Sequence, residues 1–266
     1  MRVITTNLDR AIDVIEFLAE EAEGLRLSTI AERLSLPKSA VHRLLVPLCA
    51  RGWAEQDAES GRYRLSLRLA VMGHRLLYAT RLPDVCQPVL DRLARSSREL
   101  VRLTLVQDES LVWIASAQGA PPGLMYQPSM TGAVQLHATA NGKAWLASLP
   151  ERESARIVRR DGLARMAPRT LATFEDVVAE LERTRARGWG LAEEEAEPGV
   201  AALAVAIAAI APGDPTVGTV SIAGPVVRVT PQRYPELVEM LRAAAAELQR
   251  LWPLAAAPRR ARAAGG

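Results

Sequence analysis

Between Leu36 and Trp53 the chain reads LPKSAVHRLLVPLCARGW, and four polar side chains in it carry distinct chemistry. Arg43 offers paired N–H groups that match the major-groove edge of guanine, His42 can donate to a base or a phosphate, and Ser39 and Lys38 suit the phosphate backbone. Their spacing gathers them on one side of a helix, because Val41, Leu44, Leu45 and Leu48 recur at i, i+3, i+4 and i+7 and claim the other side for a core. An ordinary solvated face has the same pattern, so its surroundings must decide. From Leu36 to Arg68 the bases Lys38, Arg43, Arg51, Arg62, Arg64 and Arg68 outnumber the acids Glu55, Asp57 and Glu59, which favours a polyanion partner. Pro47 interrupts the helix at a cost of about 3 kcal/mol unless a kink absorbs it, and it is expected to bend the C-terminal half without moving Lys38 to Arg43.

Other candidate chemistry is weaker. Gly142-Lys143 in LHATANGKAWLA suggests a phosphate loop, but His137 stands where a glycine is needed and Ala144 where Ser or Thr is needed. Ser221 in TVSIAG lacks both glycines of a nucleophile elbow, since Thr219 and Ala223 replace them. His42, His74 and His137 have no metal-ligand spacing, and Cys49 and Cys86 form no CxxC pair, so neither a metal site nor a cofactor is expected. His137 is read as a structural hydrogen-bonding residue. The small residues Ala138, Ala140 and Gly142 suit a helix N-terminus packed close to a sheet, with N–H groups open to a carboxylate.

The elements that would position these groups follow from periodicity. NLDRAIDVIEFLAE forms an amphipathic helix, LSTIAERL a short one with Ser28 as its N-cap, and the Lys38 segment a third. WAEQDAESGRYRLSL reads as two strands about Glu59-Ser60-Gly61, which completes the order of a winged helix-turn-helix. A connector helix follows from Leu67 to about Arg81. Beyond it, strands and helices mix: the helix PVLDRLARSS, the hairpin LVRLTLVQ and LVWIASAQ, a helix marked by Phe174, Val177, Val178 and Leu181, the strands GVAALAVAIAAI, whose alanines also suit a helix, and TVGTVSIAG, and a C-terminal helix from Tyr234 to Trp252. The expected class is α+β, with a DNA-binding domain over 1–66, a linker helix over 67–82, a second domain over 83–254 and a disordered tail over 255–266.

At 266 residues and a net charge of +3 the chain can hold two ordinary domains without disulfide staples, and the charge is compatible with a polyanion partner. No apolar run reaches membrane-spanning length, and MRVITTNLDR lacks the apolar region of a secretory signal, so a cytoplasmic protein is expected.

LDRAIDVIEFLAE, LSTIAERLSLPKSAVHRLL and GRYRLSLRL resemble the DNA-binding region of the IclR family of bacterial transcriptional regulators. LHATANGKAWLA, EEEAEPGVAALAVAI and SIAGPVVRVT resemble that family's effector domain, so the likeness runs from about Leu8 to Trp252. It implies a winged helix-turn-helix, a linker helix and a C-terminal GAF-like antiparallel-sheet domain. Ser28, Lys38, Ser39, His42, Arg43, Arg62 and Arg64 would face duplex DNA. In the effector domain the resemblance points to the positions Ala192, Ala202, Ser221 and Ala223, where this chain keeps only Ser221 as a polar residue. With Leu124, Met125, Met130, Gly132 and Leu136 placed near the same cavity, the expected effector is an organic acid or a larger, more apolar metabolite. The implied protein is a repressor-type regulator acting as a homodimer or a dimer of dimers, with no catalytic residues. The alternatives are an enzyme with an accessory DNA-binding module and an effector-independent regulator with a vestigial pocket.

Overall fold

Thr6 opens the first helix, α1 (Asn7–Glu20), with a capping box: its hydroxyl accepts the Asp9 N–H at 3.2 Å while the Asp9 carboxylate accepts the Thr6 N–H at 2.7 Å. The computed structural model describes residues 6–128, 134–209 and 215–252, in two units that divide between Ala79 and Thr80.

In the first unit α2 (Leu27–Leu34) starts from Arg26 with no side-chain cap. Ser28 therefore sits half-buried inside the first turn, and the N-cap role expected of it is not observed. The helix ends at Ser35, whose φ of 53° turns the chain into α3 (Lys38–Ala50). Val14 and Leu18 of α1, Ile30 of α2, and Val41 and Leu45 of α3 form one core, closed by Ala54 and Tyr63. Those last two belong to β1 (Ala54–Gln56) and β2 (Tyr63–Leu65), an antiparallel wing in which Glu55 lies opposite Arg64. A Cβ on Gly24 would stand 2.6 Å from the Tyr63 carbonyl, so only glycine, here at φ +75°, lets the α1–α2 turn meet the wing.

α3 runs unbroken through Pro47, whose ring is exposed. The lost bond is the one to the carbonyl of Arg43, an exposed residue that water can reach, so the interruption expected at Pro47 is absent. After the wing, α4 (Arg68–Thr80) begins with Arg68 donating to the Arg51 carbonyl at 2.9 Å and stacked over Trp53. Val71, Met72 and Leu76 along α4 are all exposed.

The second unit is built on five antiparallel strands in the order β4-β3-β7-β6-β5: β3 (Leu100–Gln107), β4 (Ser110–Gln118), β5 (Gly190–Glu193), β6 (Val200–Ala208) and β7 (Thr216–Pro225). One face is aliphatic: Val101, Leu103, Leu203, Val205, Val220 and Ile222 are buried there beneath α5 (Leu82–Ser97) and α9 (Tyr234–Leu251). α5 starts earlier than PVLDRLARSS, because Pro83 fits a first turn that needs no N–H from it. The other face carries small and polar side chains: Arg102, Thr104, Thr219, Ser221, Ala223, Ala202, Ala204, Ala192 and Gly190 share it by register. On it lies α6 (Ala140–Ser148), backed by α7 (Glu151–Asp161) and α8 (Phe174–Arg187). A Cβ on Gly190 would approach the Ala140 carbonyl to 2.2 Å, so α6 rests directly on the sheet backbone. α7 and β5 were not among the elements expected. Helix α7 lies in a strongly charged segment, and β5 is too short for a period to show.

Candidate nucleic-acid interface and ligand cavity

The first turn of α3 has no side-chain cap, so the N–H groups of Lys38 and Ser39 stay open at the positive end of the helix. Lys38, Ser39, His42 and Arg43 are all exposed, and among the described residues none of them has an intramolecular partner. The neighbouring arginines differ. Arg33 pairs with Glu20 and Glu21, Arg62 is half-buried and donates to the Gly24 carbonyl at 2.9 Å, and Arg64 is held by Glu55 at 2.7 Å. The Glu55 carboxylate beside Arg64 raises its pKa further above the usual guanidinium value. The wing thus brings less free positive charge than a count of its arginines implied, and the unpaired cations of this surface are concentrated on α3.

In the second unit a cavity of about 20 Å³ opens at the N-terminus of α6. Thr139, Ala140 and Asn141 line one side, Ala192, Ala202 and Ala223 the sheet side, and Arg102, Tyr126 and Glu197 the mouth. Thr139 caps the helix by accepting the Gly142 N–H at 3.1 Å, and Asn141 donates to the Thr219 hydroxyl at 2.8 Å, which leaves the Ala140 and Asn141 N–H groups without an intramolecular acceptor among the described residues. Arg102 is buried with its guanidinium 4.0 Å over the Trp113 ring and its Nε unpartnered. Burial lowers its pKa, with the nearby Tyr126 and Glu197 working the other way. Tyr126, chiefly through burial, is pushed up to about 12.

Two segments cover this mouth. The strap around Tyr126 is tied by Gln118 Nε2, which donates to the Tyr126 carbonyl at 3.0 Å, and by Arg228, which donates to the Leu124 carbonyl at 2.7 Å while paired with the buried Glu99. The loop after β5 is tied by Glu195, which accepts from Lys143 Nζ at 2.5 Å; the same Nζ donates to the Leu191 carbonyl at 2.8 Å. Burial lowers the Lys143 pKa and raises that of Glu195, and one oxygen of Glu195 is left without a partner.

Of the cavity residues expected from sequence, Ala192, Ala202 and Ala223 are brought together. Ser221 is not among the lining residues: it lies one pleat deeper on β7, fully buried, with its hydroxyl 3.5 Å from the Arg102 carbonyl. Leu136 packs with Val134, Trp145 and Ile157 in the core shared by α6, α7 and α8, so it forms no cavity wall. Leu124 and Met125 are exposed at 60% and 43%. Met130 and Gly132, like the tail, fall outside the described residues. Among the described residues, then, the broad apolar wall expected here is not observed: Leu136 belongs to a core, and Leu124 and Met125 face solvent. Sequence reasoning missed Arg102, Tyr126, Asn141 and Glu197. One signal was available, an arginine at an inward position of the otherwise apolar strand LVRLTLVQ.

His137 is buried, its ring bonded to the Ala164 carbonyl at 3.0 Å, with burial lowering its pKa. Among the described residues no group of three His, Cys, Asp or Glu could hold a metal, and no helix is long and apolar enough to cross a membrane.

Comparison with known proteins gives the family of both units. Residues 7–58 match the IclR helix-turn-helix domain, and residues 74–250 match the model described as Bacterial transcriptional regulator IclR C-terminal. The chain is similar to the Glycerol operon regulatory protein of Streptomyces griseus, 36% identical with 92% of this chain and 95% of that protein covered. It is similar also to the Transcriptional repressor IclR of Escherichia coli, 29% identical with 91% and 88% covered. An IclR homologue of Microbacterium hydrocarbonoxydans, solved in complex with 4-hydroxybenzoate, shares the fold with a TM-score of 0.73 at 24% identity, over 94% of this chain and all of that one. With a helix-turn-helix head, an antiparallel-sheet domain and family models that between them span nearly the whole sequence, the chain belongs to the IclR family of bacterial transcriptional regulators.

Proposed function

We propose that this regulator binds a pseudo-palindromic operator as a homodimer or a dimer of dimers, in the cytoplasm and without catalytic activity, and that an acid bound at the α6 N-terminus changes its affinity for that operator. The observation that carries the DNA half is the face of α3, where Lys38, Ser39, His42 and Arg43 stand exposed and unpaired while Arg33, Arg62 and Arg64 are occupied. Arg43 reads guanine, His42 and Ser39 flank it, and the open N–H groups with Lys38 hold a phosphate. Half-sites lie about 10 base pairs apart, one turn of the duplex. The exposed apolar stripe of α4 supports self-association, and the name of the Escherichia coli relative supports repression.

The ligand half is supported by the cavity, with its helix N-terminus and buried cation, and by the acid bound to the Microbacterium homologue. An effector acts only through different affinities for two arrangements of the protein, with α4 as transmitter. For Arg43→Ala we expect specific binding weakened by about 1 to 3 kcal/mol and one base preference relaxed. Selection of bound duplexes from a random pool, followed by gel shifts on the selected sequence, reads both effects. Equal loss on every duplex would reduce Arg43 to a phosphate contact, and no preference in the wild type would overturn the proposal.

A further inference from the structure

We propose that Arg102 sets the ligand specificity of the cavity by taking the carboxylate of an organic monocarboxylic acid, and that Glu197 occupies its field until such an acid arrives. This deepens the reading of the cavity as the effector site and rests on it. A buried charged group with an unmet donor is costly unless something satisfies it, and Arg102, 8% exposed, has its Nε unpartnered. Trp113 covers one face of the guanidinium, and the Tyr126 ring centroid lies 5.9 Å away. A ligand therefore approaches the guanidinium along its edge, where parallel N–H groups fit the two oxygens of a carboxylate. The free N–H groups of Ala140 and Asn141 add positive potential from the other side of the same cavity.

The only carboxylate among the lining residues is Glu197, which acts on Arg102 directly and on the intervening Tyr126 hydroxyl. It is exposed, so it can return to water at little cost when a tighter-fitting carboxylate displaces it. What remains of the lining on the sheet side is the apolar side chains of Ala192, Val200, Ala202 and Ala223, which offer nothing to a second charge. The class selected is thus one carboxylate on an apolar body, and not a diacid or a phosphate ester. A volume of about 20 Å³ holds roughly one water, so the acid enters by lifting the Tyr126 strap and the Glu197 loop together.

The test is calorimetric titration of the full-length protein with pyruvate, butyrate, benzoate and 4-hydroxybenzoate, each beside its neutral amide. At least one acid is expected to bind, its amide about tenfold or more weakly. Arg102→Met should bring the acid-to-amide ratio near one, Arg102→Lys should restore part of it, and Glu197→Gln should tighten the acid while leaving the amide unchanged. Ala202→Trp, which fills the cavity, separates the two ways of failing. If Ala202→Trp abolishes acid binding and Arg102→Met leaves the ratio intact, the assignment of Arg102 is wrong and the cavity reading stands. If none of the acids binds, or if binding survives Ala202→Trp, the cavity reading fails and the assignment with it. Should Arg102→Met not fold, Glu197→Gln decides: an equal change in acid and amide overturns the proposal.

Discussion

Replacing Lys143 with methionine tests whether the loop over the cavity is held by a buried ion pair that is itself a net electrostatic cost. Lys143 is fully buried, and its Nζ holds both the Glu195 carboxylate at 2.5 Å and the Leu191 carbonyl at 2.8 Å. Removing one member of such a pair leaves an uncompensated buried charge, worth about 3 to 5 kcal/mol. Proton uptake moderates that figure, because burial has already raised the Glu195 pKa and loss of the cation raises it further. A carboxyl whose folded pKa exceeds its unfolded one is penalised above the folded value and relieved as pH falls toward the unfolded value, so the deficit of Lys143→Met should shrink on acidification. Lys143 is shifted down and Glu195 up, so for both groups desolvation outweighs attraction. The double variant Lys143→Met/Glu195→Gln should therefore recover most of the loss, which requires a coupling at least as large as that loss, about 3 kcal/mol or more. Urea unfolding followed by tryptophan fluorescence, in a background carrying Trp53→Phe so that the tryptophans of the second unit report alone, measures this. A single variant that loses less than about 1 kcal/mol, or a double variant that is additive, would refute the reasoning.

Three further outcomes are expected. Gly190→Ala should cost about 1 to 3 kcal/mol and lower the melting temperature of the second unit, because the new methyl lies 2.2 Å from the Ala140 carbonyl and α6 must lift; an unchanged melting temperature would show that the contact is looser than described. Leu45→Ala, at the centre of the helix-turn-helix core, should cost the first unit about 2 to 5 kcal/mol by chemical denaturation, and a loss below that range would mean the site collapses around the gap. Glu55→Ala releases Arg64, so it should strengthen binding to any duplex and steepen the dependence of log K on log salt by about one; an unchanged slope would place Arg64 away from the phosphates.

The head domain was readable because its signals are local. Val41, Leu44, Leu45 and Leu48 repeat at helical spacing, and the turn at Ser60-Gly61 separates two alternating strands, so neither needs a distant partner to be recognised. Ser28 misled because a serine ahead of an apolar run is a cap only if the backbone is still extended there, and the chain had already turned helical at Leu27. The cavity was half legible. Ala192, Ala202 and Ala223 meet through strand register, which the family pattern carries, whereas Ser221, drawn from the same pattern, lies one pleat deeper, and Leu136, placed near the cavity from the sequence, points into a core. Arg102 and Glu197 come together only when β3 and the loop after β5 are folded against one sheet, a contact that no spacing in the sequence encodes.

The sheet that carries the cavity treats its two sides unequally, and this bears on how such a receptor can change its chemical preference. Bulky aliphatic side chains fasten the rear to α5 and α9, while the front supplies little beyond methyls and hydroxyls on a backbone fixed by neighbouring strands. Exchanges at the front can therefore retune what is bound without loosening the frame behind it, so new ligand tastes can arise by single steps in a protein that stays folded.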